Sequence, residues 1–198
     1  MRVGSRPRLW RIGVLLLATG VASGCVSVRP VEPGADFELG PNEGLLVVDI
    51  DTELEIGMLR FGGMKAAEDL PAGEHFYLLA VTAGTYRWNQ IELPSASGVS
   101  VGFVFFRDDT LRFRIRPGRI NYTGQLVFWG DRGERHVAVG GGPINRSALA
   151  LRRLRERYPG LVERYPPVFA ASYRDDFLER FARGFRPATS DAGGEAAE

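Results

Sequence analysis

Few residues in this chain combine the side-chain type and the spacing that catalysis requires. The histidines are His75 and His136, and the one cysteine is Cys25. Neither histidine belongs to a His-x-x-x-His or His-Glu-x-x-His pair, the spacings that place two metal ligands on one helix face. Each is interpreted as a solvated or packed side chain, so the sequence favours a protein that is not an enzyme and has no cofactor.

Acidic residues alternate along the chain at Asp49, Asp51, Glu53 and Glu55. Alternate residues of a strand share a face, so these carboxylates could supply oxygen ligands to Ca²⁺, which takes about six to eight. A solvated face, or a strand edge guarded by charge, is the other interpretation and the one that we favour. We therefore expect no metal site.

Two groups of side chains are the candidate binding residues. Aromatic residues on neighbouring strands could stack on sugar rings if they share an exposed face, and a row of arginines could meet phosphate or carboxylate groups. Core packing is the interpretation that we favour for the aromatic residues, and a solvated face paired with nearby acids is the one that we favour for the arginines. The candidates are Trp88, Tyr122, Trp129, Arg112, Arg114 and Arg116.

The segment that leads to Cys25 has the organisation of a secretory signal peptide. Arginines are its only charged residues, an apolar run covers Ile12 to Ala18, and small residues follow up to Cys25. The apolar run is much shorter than the roughly 20 residues that span a bilayer. A signal of this form is removed from the mature protein.

The residues around the expected cut resemble the lipobox of bacterial lipoproteins. The resemblance rests on Val21-Ala22-Ser23-Gly24-Cys25, in which the only cysteine follows small residues. It implies that signal peptide 1–24 is removed, that the Cys25 sulfur carries diacylglycerol, and that acyl chains such as palmitate hold the protein on the membrane. Val26 differs from the Asp that often retains such proteins in the inner membrane of enteric bacteria. The resemblance therefore points to the cell outer membrane, with the protein facing the periplasm.

The net charge and the cysteine content limit which partners the chain can bind and which covalent links it can form. Removal of the four arginines that precede Cys25 changes the formal net charge from +1 to −3. This near-neutral balance argues against nucleic-acid binding. A single cysteine also excludes an internal disulfide.

The mature chain reads as a short tether, a β domain and C-terminal helices. Prolines in 25–43 predict a flexible tether, and period-two patterns such as Leu111, Phe113 and Ile115 predict about seven to nine strands in 44–142. The fold class is mainly β: an antiparallel β-sandwich, prealbumin-like or Ig-like, with one or two C-terminal helices in 143–186. Residues 187–198 are predicted to be a disordered tail.

The first of these helices is predicted from Ala148, Leu151, Leu154 and Tyr158, which recur at helical steps before Pro159. A second helix is predicted over 172–185 from an aromatic and aliphatic stripe. The helices are expected to pack on or near the sandwich.

The turn motifs resemble those of bacterial envelope lipoproteins of unknown function with a prealbumin-like or carboxypeptidase-regulatory-like domain. The motifs are the presumed hairpin Ala83-Gly84-Thr85-Tyr86, the segment from Phe113 to Gly124, and Tyr158-Pro159. The resemblance implies the sandwich fold and carries no catalytic residues.

These observations favour a lipid-anchored cell-envelope protein whose sandwich is a non-enzymatic binding or scaffold module. Its expected partners are the membrane, through the lipid on Cys25, and other envelope proteins or peptidoglycan. One alternative is a carbohydrate- or peptidoglycan-binding module that uses exposed aromatic residues. The other is an envelope-polymer hydrolase, which would need His75 or His136 beside carboxylates in a cleft.

Overall fold

The computed structural model describes residues 28–94, 101–104, 111–132 and 137–172. Over these ranges the chain is mainly β, with two sheets and two short helices, as the strand pattern predicts. The strands are β1 (Val28–Val31), β2 (Glu43–Thr52), β3 (Ile56–Phe61), β4 (Met64–Leu70), β5 (Gly73–Thr82), β6 (Gly84–Leu93), β7 (Val101–Val104), β8 (Arg112–Ile115), β9 (Ile120–Tyr122), β10 (Gln125–Arg132), β11 (Val137–Ile144) and β12 (Pro167–Phe169). The helices are α1 (Ser147–Arg157) and α2 (Pro159–Arg164).

The two sheets form the predicted β-sandwich, although the larger sheet is mixed and not purely antiparallel. Its order is β1-β5-β2-β10-β11, with β9 also beside β2 and β12 beside β9. The β2 strand is antiparallel to β5 but parallel to both β9 and β10. Between β2 and β9 the chain passes through the smaller sheet and then re-enters the larger sheet running in the direction of β2. A parallel pairing requires such a crossover connection.

The smaller sheet is antiparallel, in the order β4-β3-β6-β7, and β8 pairs with β6 beyond the end of β7. Its β3–β4 hairpin closes through Gly62 and Gly63, whose φ values are 53° and 81°. Positive φ at both positions is the requirement of a type I′ turn, which matches the twist of the strands.

The presumed hairpin at Ala83-Gly84 is instead a crossing between the sheets. The β5 strand belongs to the larger sheet and β6 to the smaller one, where it pairs with β3, β7 and β8. Pro117 and Gly118 form another crossing, from β8 in the smaller sheet to β9 in the larger one. The turn residues were read correctly as turns, but a turn alone does not say whether its flanking strands pair.

The main core lies between the two sheets. Phe61, Trp88 and Phe113 meet there, with ring centroids 5.3 to 5.7 Å apart. The opposite face of the larger sheet is also buried, against α1 and α2. Both faces of β5 therefore carry buried apolar residues, which is typical of a strand covered on both sides.

The first predicted helix is confirmed as α1, in which Leu151 and Leu154 are buried. Pro159 both follows α1 and occupies the first turn of α2, where its missing N–H is tolerated. The second predicted helix lies outside the described residues, apart from Ser172. Neither described helix has the length and apolar character that crossing a bilayer demands.

Part of the predicted tether is instead a strand. Val28–Val31 pairs with β5, and Val31 is buried. Pro30 is compatible with this strand because β1 lies at the sheet edge, where a backbone N–H is not needed on the outer side. The described chain is thus held in the sheet from Val28 onward.

Candidate functional site

The predicted arginine row lies on the outer face of β8. Phe113 and Ile115 are buried, whereas Arg112, Arg114 and Arg116 are exposed. The strand alternation therefore separates an apolar face from a basic one, as predicted.

The turn that follows β8 is tied to the start of β2 and carries a further exposed arginine, Arg119. Gly118 has a φ of 63°, in the left-handed region that glycine tolerates. Its N–H donates to the Glu43 carbonyl at 2.8 Å, and the Leu45 N–H donates to the Arg119 carbonyl at 2.8 Å. These bonds fix the direction in which the turn projects.

Asn121 holds the same turn from inside the protein. Its Oδ1 accepts from the Arg116 N–H at 2.9 Å, and its Nδ2 donates to the carbonyls of Leu45, Arg116 and Arg119 at 3.0 to 3.1 Å. The side chain is fully buried. The sequence analysis assigned Asn121 no role. Its position between two large apolar residues of a strand was the available signal, because an amide buried there needs hydrogen-bond partners.

The beginning of β1 lies at the same end of the sandwich as this turn. Val28 is opposite Val81, and Glu43 is opposite Thr82, so β1 and β2 both begin where β5 ends. Gly118 is bonded to Glu43, which places the turn at that end as well. We call this region the basic end: the first residues of β1 and β2 together with Arg114, Arg116 and Arg119.

The acid at the basic end is already neutralised. The Glu43 Oε2 accepts from Arg29 Nη2 at 2.6 Å and from the Gly40 N–H at 2.8 Å. Ion pairs seen among the described residues include none with Arg114 or Arg119. The local charge of the basic end is therefore positive, although the mature chain as a whole is slightly acidic.

A groove of about 590 Å³ lies between the edge strands β1 and β4. Its apolar lining includes Val28, Met64, Leu70, Tyr77 and Leu79. The Tyr77 hydroxyl donates to the Ala66 carbonyl at 3.1 Å, and burial raises the pKa of Tyr77. Lys65 and Glu68 pair with each other at 2.5 Å beside the groove. The β1–β4 groove thus offers mainly hydrocarbon surface, and one end of it begins at Val28.

The three candidate aromatic residues do not share an exposed face, so the condition for a stacking platform is not met. Trp88 is 2% exposed and Tyr122 is 0% exposed, whereas Trp129 is 52% exposed. The Trp88 Nε1 donates to the Thr123 hydroxyl at 3.4 Å, so its polar atom has an internal partner. The Trp129 indole lies against Gly140, at a place that a Cβ on this glycine would fill. Core packing, the interpretation that the sequence favours, is correct for Trp88 and Tyr122.

A buried carboxylate, Asp49, lies beneath α1. Its Oδ1 accepts from Gln125 Nε2 at 3.1 Å and from Arg153 Nη1 at 3.4 Å, and its Oδ2 accepts from the Tyr122 hydroxyl at 3.2 Å. Arg153 also pairs with Glu74 and lies 5.8 Å from the Phe76 ring. These contacts join the helix to the sheet.

The position of Gln125 follows from an irregularity in the parallel pairing. Tyr122 is opposite Val47 and Leu126 is opposite Ile50. The three residues between Tyr122 and Leu126 therefore run beside only two residues of β2. Gly124, with a φ of 94°, accommodates the extra residue. This bulge has no signal in the sequence, because it depends on which strand lies beside β2.

Burial raises the pKa of Asp49, against the opposing effects of the Gln125 hydrogen bond and the Arg153 charge. The other alternating acids do not join it: Asp51 is half-buried, and Glu53 and Glu55 are exposed. Within the described ranges, no three His, Cys, Asp or Glu side chains converge as metal ligands would. The Asp49 cluster is accordingly a structural ion pair that docks α1.

His75 lies at the beginning of β5, where its Nε2 is 2.7 Å from the Pro71 carbonyl oxygen. One sequence match was missed: Gly98-Val99-Ser100-Val101-Gly102 has the letters of a nucleophile elbow. An elbow needs a helix directly after the serine, whereas here β7 begins at Val101. The match therefore lacks the structural context that would make Ser100 a nucleophile.

Cys25 and His136 lie outside the described residues. Comparison of the chain with protein-family models, with curated proteins and with solved structures finds no match.

Proposed function

We propose that this chain is a lipid-anchored protein of the bacterial cell envelope, on the periplasmic side of the outer membrane, and that its β domain is a non-enzymatic binding or scaffold module. The observation that carries the proposal is the small-residue run ending in the only cysteine, three positions ahead of the first strand. Acyl chains contribute about 0.8 kcal/mol per buried CH₂, so diacylglycerol plus an amide-linked chain would anchor the protein without a transmembrane helix.

The short distance between Cys25 and β1 sets how the domain would be presented. Each residue extends the chain by at most about 3.5 Å, so Val28 lies within roughly 10 Å of the modified sulfur. A tether running to residue 43 would let the domain stand away from the bilayer. Pairing of β1 with β5 removes that freedom and supports a domain held close to the membrane.

The described polar groups support a non-enzymatic role by the contacts that they make. Asp49 binds Tyr122, Gln125 and Arg153, and Asn121 binds the turn after β8. Each of these residues is engaged in holding one element against another. A catalytic group would instead be aimed at a site where substrate atoms could lie within hydrogen-bond reach.

Burial of Trp88 and Tyr122 weakens the carbohydrate-binding alternative, which needs a planar row of exposed rings. Only Trp129 of the three candidates presents a ring to solvent, and one ring is a small platform. The binding role is better supported by the basic end, which is exposed and unbalanced in charge.

The test is the mass of the protein purified from membranes of its bacterial host. We expect loss of residues 1–24 and an added diacylglycerol with amide-linked acyl chains on Cys25. Cys25→Ser should release the protein from the membrane fraction while leaving its thermal unfolding unchanged. Recovery of an unmodified thiol, or of equal membrane association for the serine variant, would refute the anchor.

The non-enzymatic part is tested separately by His75→Ala, His136→Ala and Ser100→Ala in the host. We expect the phenotype of a deletion strain to be restored by each of the three variants. Failure of any variant to restore it, at normal protein levels, would favour the hydrolase alternative.

A further inference from the structure

We propose that the basic end is a binding surface for anionic phospholipid headgroups, in which Arg114, Arg116 and Arg119 meet the leaflet that holds the Cys25 lipid. This inference rests on the proposed anchor and extends it: the membrane becomes a partner of the folded domain as well as of the acyl chains. Guanidinium groups suit this partner because they donate two parallel hydrogen bonds to one phosphate.

The start of β1, three residues after the proposed anchor, lies at the same end of the molecule as the arginines. The β1 and β2 strands are separated in the sheet by β5 alone, a distance of about 10 Å at ordinary strand spacing. Gly118, at the tip of the arginine turn, is hydrogen-bonded to the first residue of β2. A leaflet that holds Cys25 would therefore lie within a few strand widths of all three arginines.

The arginines of the basic end are presented on a rigid support. Arg114 is on β8, where Phe113 and Ile115 are fixed in the core, and Arg116 and Arg119 flank a turn that Asn121 holds through four hydrogen bonds. A rigid cluster loses less conformational entropy on binding than a flexible basic tail.

The charge balance of the basic end also favours an anionic partner. Glu43, the acid at the start of β2, is already bound by Arg29 and the Gly40 N–H. Arg114 and Arg119, which are both exposed, thus add to a field that this carboxylate does not cancel. An arginine near an anionic membrane strengthens binding roughly fivefold at low salt, so three give on the order of 100-fold.

The experiment uses the mature chain from Cys25, with its only thiol alkylated by a single myristoyl-length chain. One such chain gives weak, reversible binding, so an electrostatic contribution is measurable. Partitioning is measured by co-sedimentation with vesicles of phosphatidylcholine alone and of phosphatidylcholine with phosphatidylglycerol. We expect about 100-fold stronger binding to the anionic vesicles, most of it lost at high salt because the charges are screened.

Two triple variants separate this surface from general charge. Replacement of Arg114, Arg116 and Arg119 by Gln should abolish the preference for anionic vesicles, and replacement by Lys should keep most of it. The matched control replaces three exposed arginines on or beside α1 by Gln: Arg146, Arg152 and Arg155. It makes the same change in net charge and should keep the preference. Circular dichroism and thermal unfolding establish that each variant is folded.

Equal binding to neutral and anionic vesicles, or an equal loss in both glutamine triples, would overturn the proposal. So would co-sedimentation with purified peptidoglycan in place of anionic vesicles. Because the alkyl chain is attached chemically, the result does not depend on lipidation in the cell. An unmodified Cys25 in the host refutes the anchor, whereas absence of anionic preference refutes the surface.

Discussion

Replacement of Asn121 by alanine should destabilise the protein by about 3 kcal/mol. The change removes four hydrogen bonds that link the start of β2 to the turn between β8 and β9. The bond to the Leu45 carbonyl is buried, and leaving that oxygen unpaired costs about 1–3 kcal/mol. The three partly buried bonds involve groups that water can reach after the change, at about 0.5 kcal/mol each.

The assay is urea unfolding of the mature chain followed by tryptophan fluorescence, together with a thermal melt. For a domain of this size, 3 kcal/mol corresponds to a fall in Tm of about 6–12 °C. The matched control is Asn89→Ala. The buried Oδ1 of Asn89 has no hydrogen-bond partner among the described residues, so its removal should cost less than about 1 kcal/mol.

Two outcomes would refute this reasoning. A loss of less than about 1 kcal/mol for Asn121→Ala would mean that the turn is held by its backbone bonds to Glu43 and Leu45. An equal loss for both variants would mean that burial of an amide matters and that its partners do not. Asn121→Asp tests the same point in the opposite direction, since its second oxygen cannot donate to the carbonyls and should destabilise at least as much.

Three further outcomes follow from individual contacts. Burial raises the pKa of Asp49, so the folded protein holds this proton more tightly than the unfolded chain. The contribution of Asp49 to the free energy of unfolding therefore falls as pH rises above 3.8 towards the folded pKa. Asp49→Asn should remove that fall, and parallel curves of unfolding free energy against pH for the two proteins, measured by urea unfolding, would contradict it. Trp88→Ala should cost about 3–5 kcal/mol and Trp129→Ala less than about 1, and acrylamide should quench the exposed Trp129 far more than Trp88. Gly44→Ala should lower the urea midpoint because its Cβ would overlap a backbone carbonyl, whereas Gly160→Ala, which meets no atom, should leave the midpoint unchanged or higher.

Strand faces were predictable because alternation is a local property. Phe113 and Ile115 point inward and their arginine neighbours outward, as the pattern indicated. The start and length of α1 were predictable for the same reason, from apolar residues at helical steps before Pro159.

Pairing was not predictable from the same patterns. The turn at Ala83-Gly84 has hairpin chemistry, yet it joins strands of different sheets. The aromatic candidates could not be separated for this reason: Trp88 and Tyr122 belong to strands whose inner faces are covered, and internal oxygen atoms accept their polar hydrogens, whereas Trp129 is exposed. Prolines suggested a tether, but an edge strand tolerates Pro30 and the sheet recruits Val28–Val31.

The sequence by itself determined the mainly β class, the inward and outward faces of the strands, the first helix, and a Cys25 context that resembles a lipidation site. Those features depend on residue type and short spacing, which a linear chain carries in full. The tertiary structure alone decided that Val28, Glu43 and the arginine turn share one end, and that Asp49 meets Gln125 and Arg153. Such contacts join residues tens of positions apart, and they follow from the order of strands in two sheets, which local periodicity does not encode.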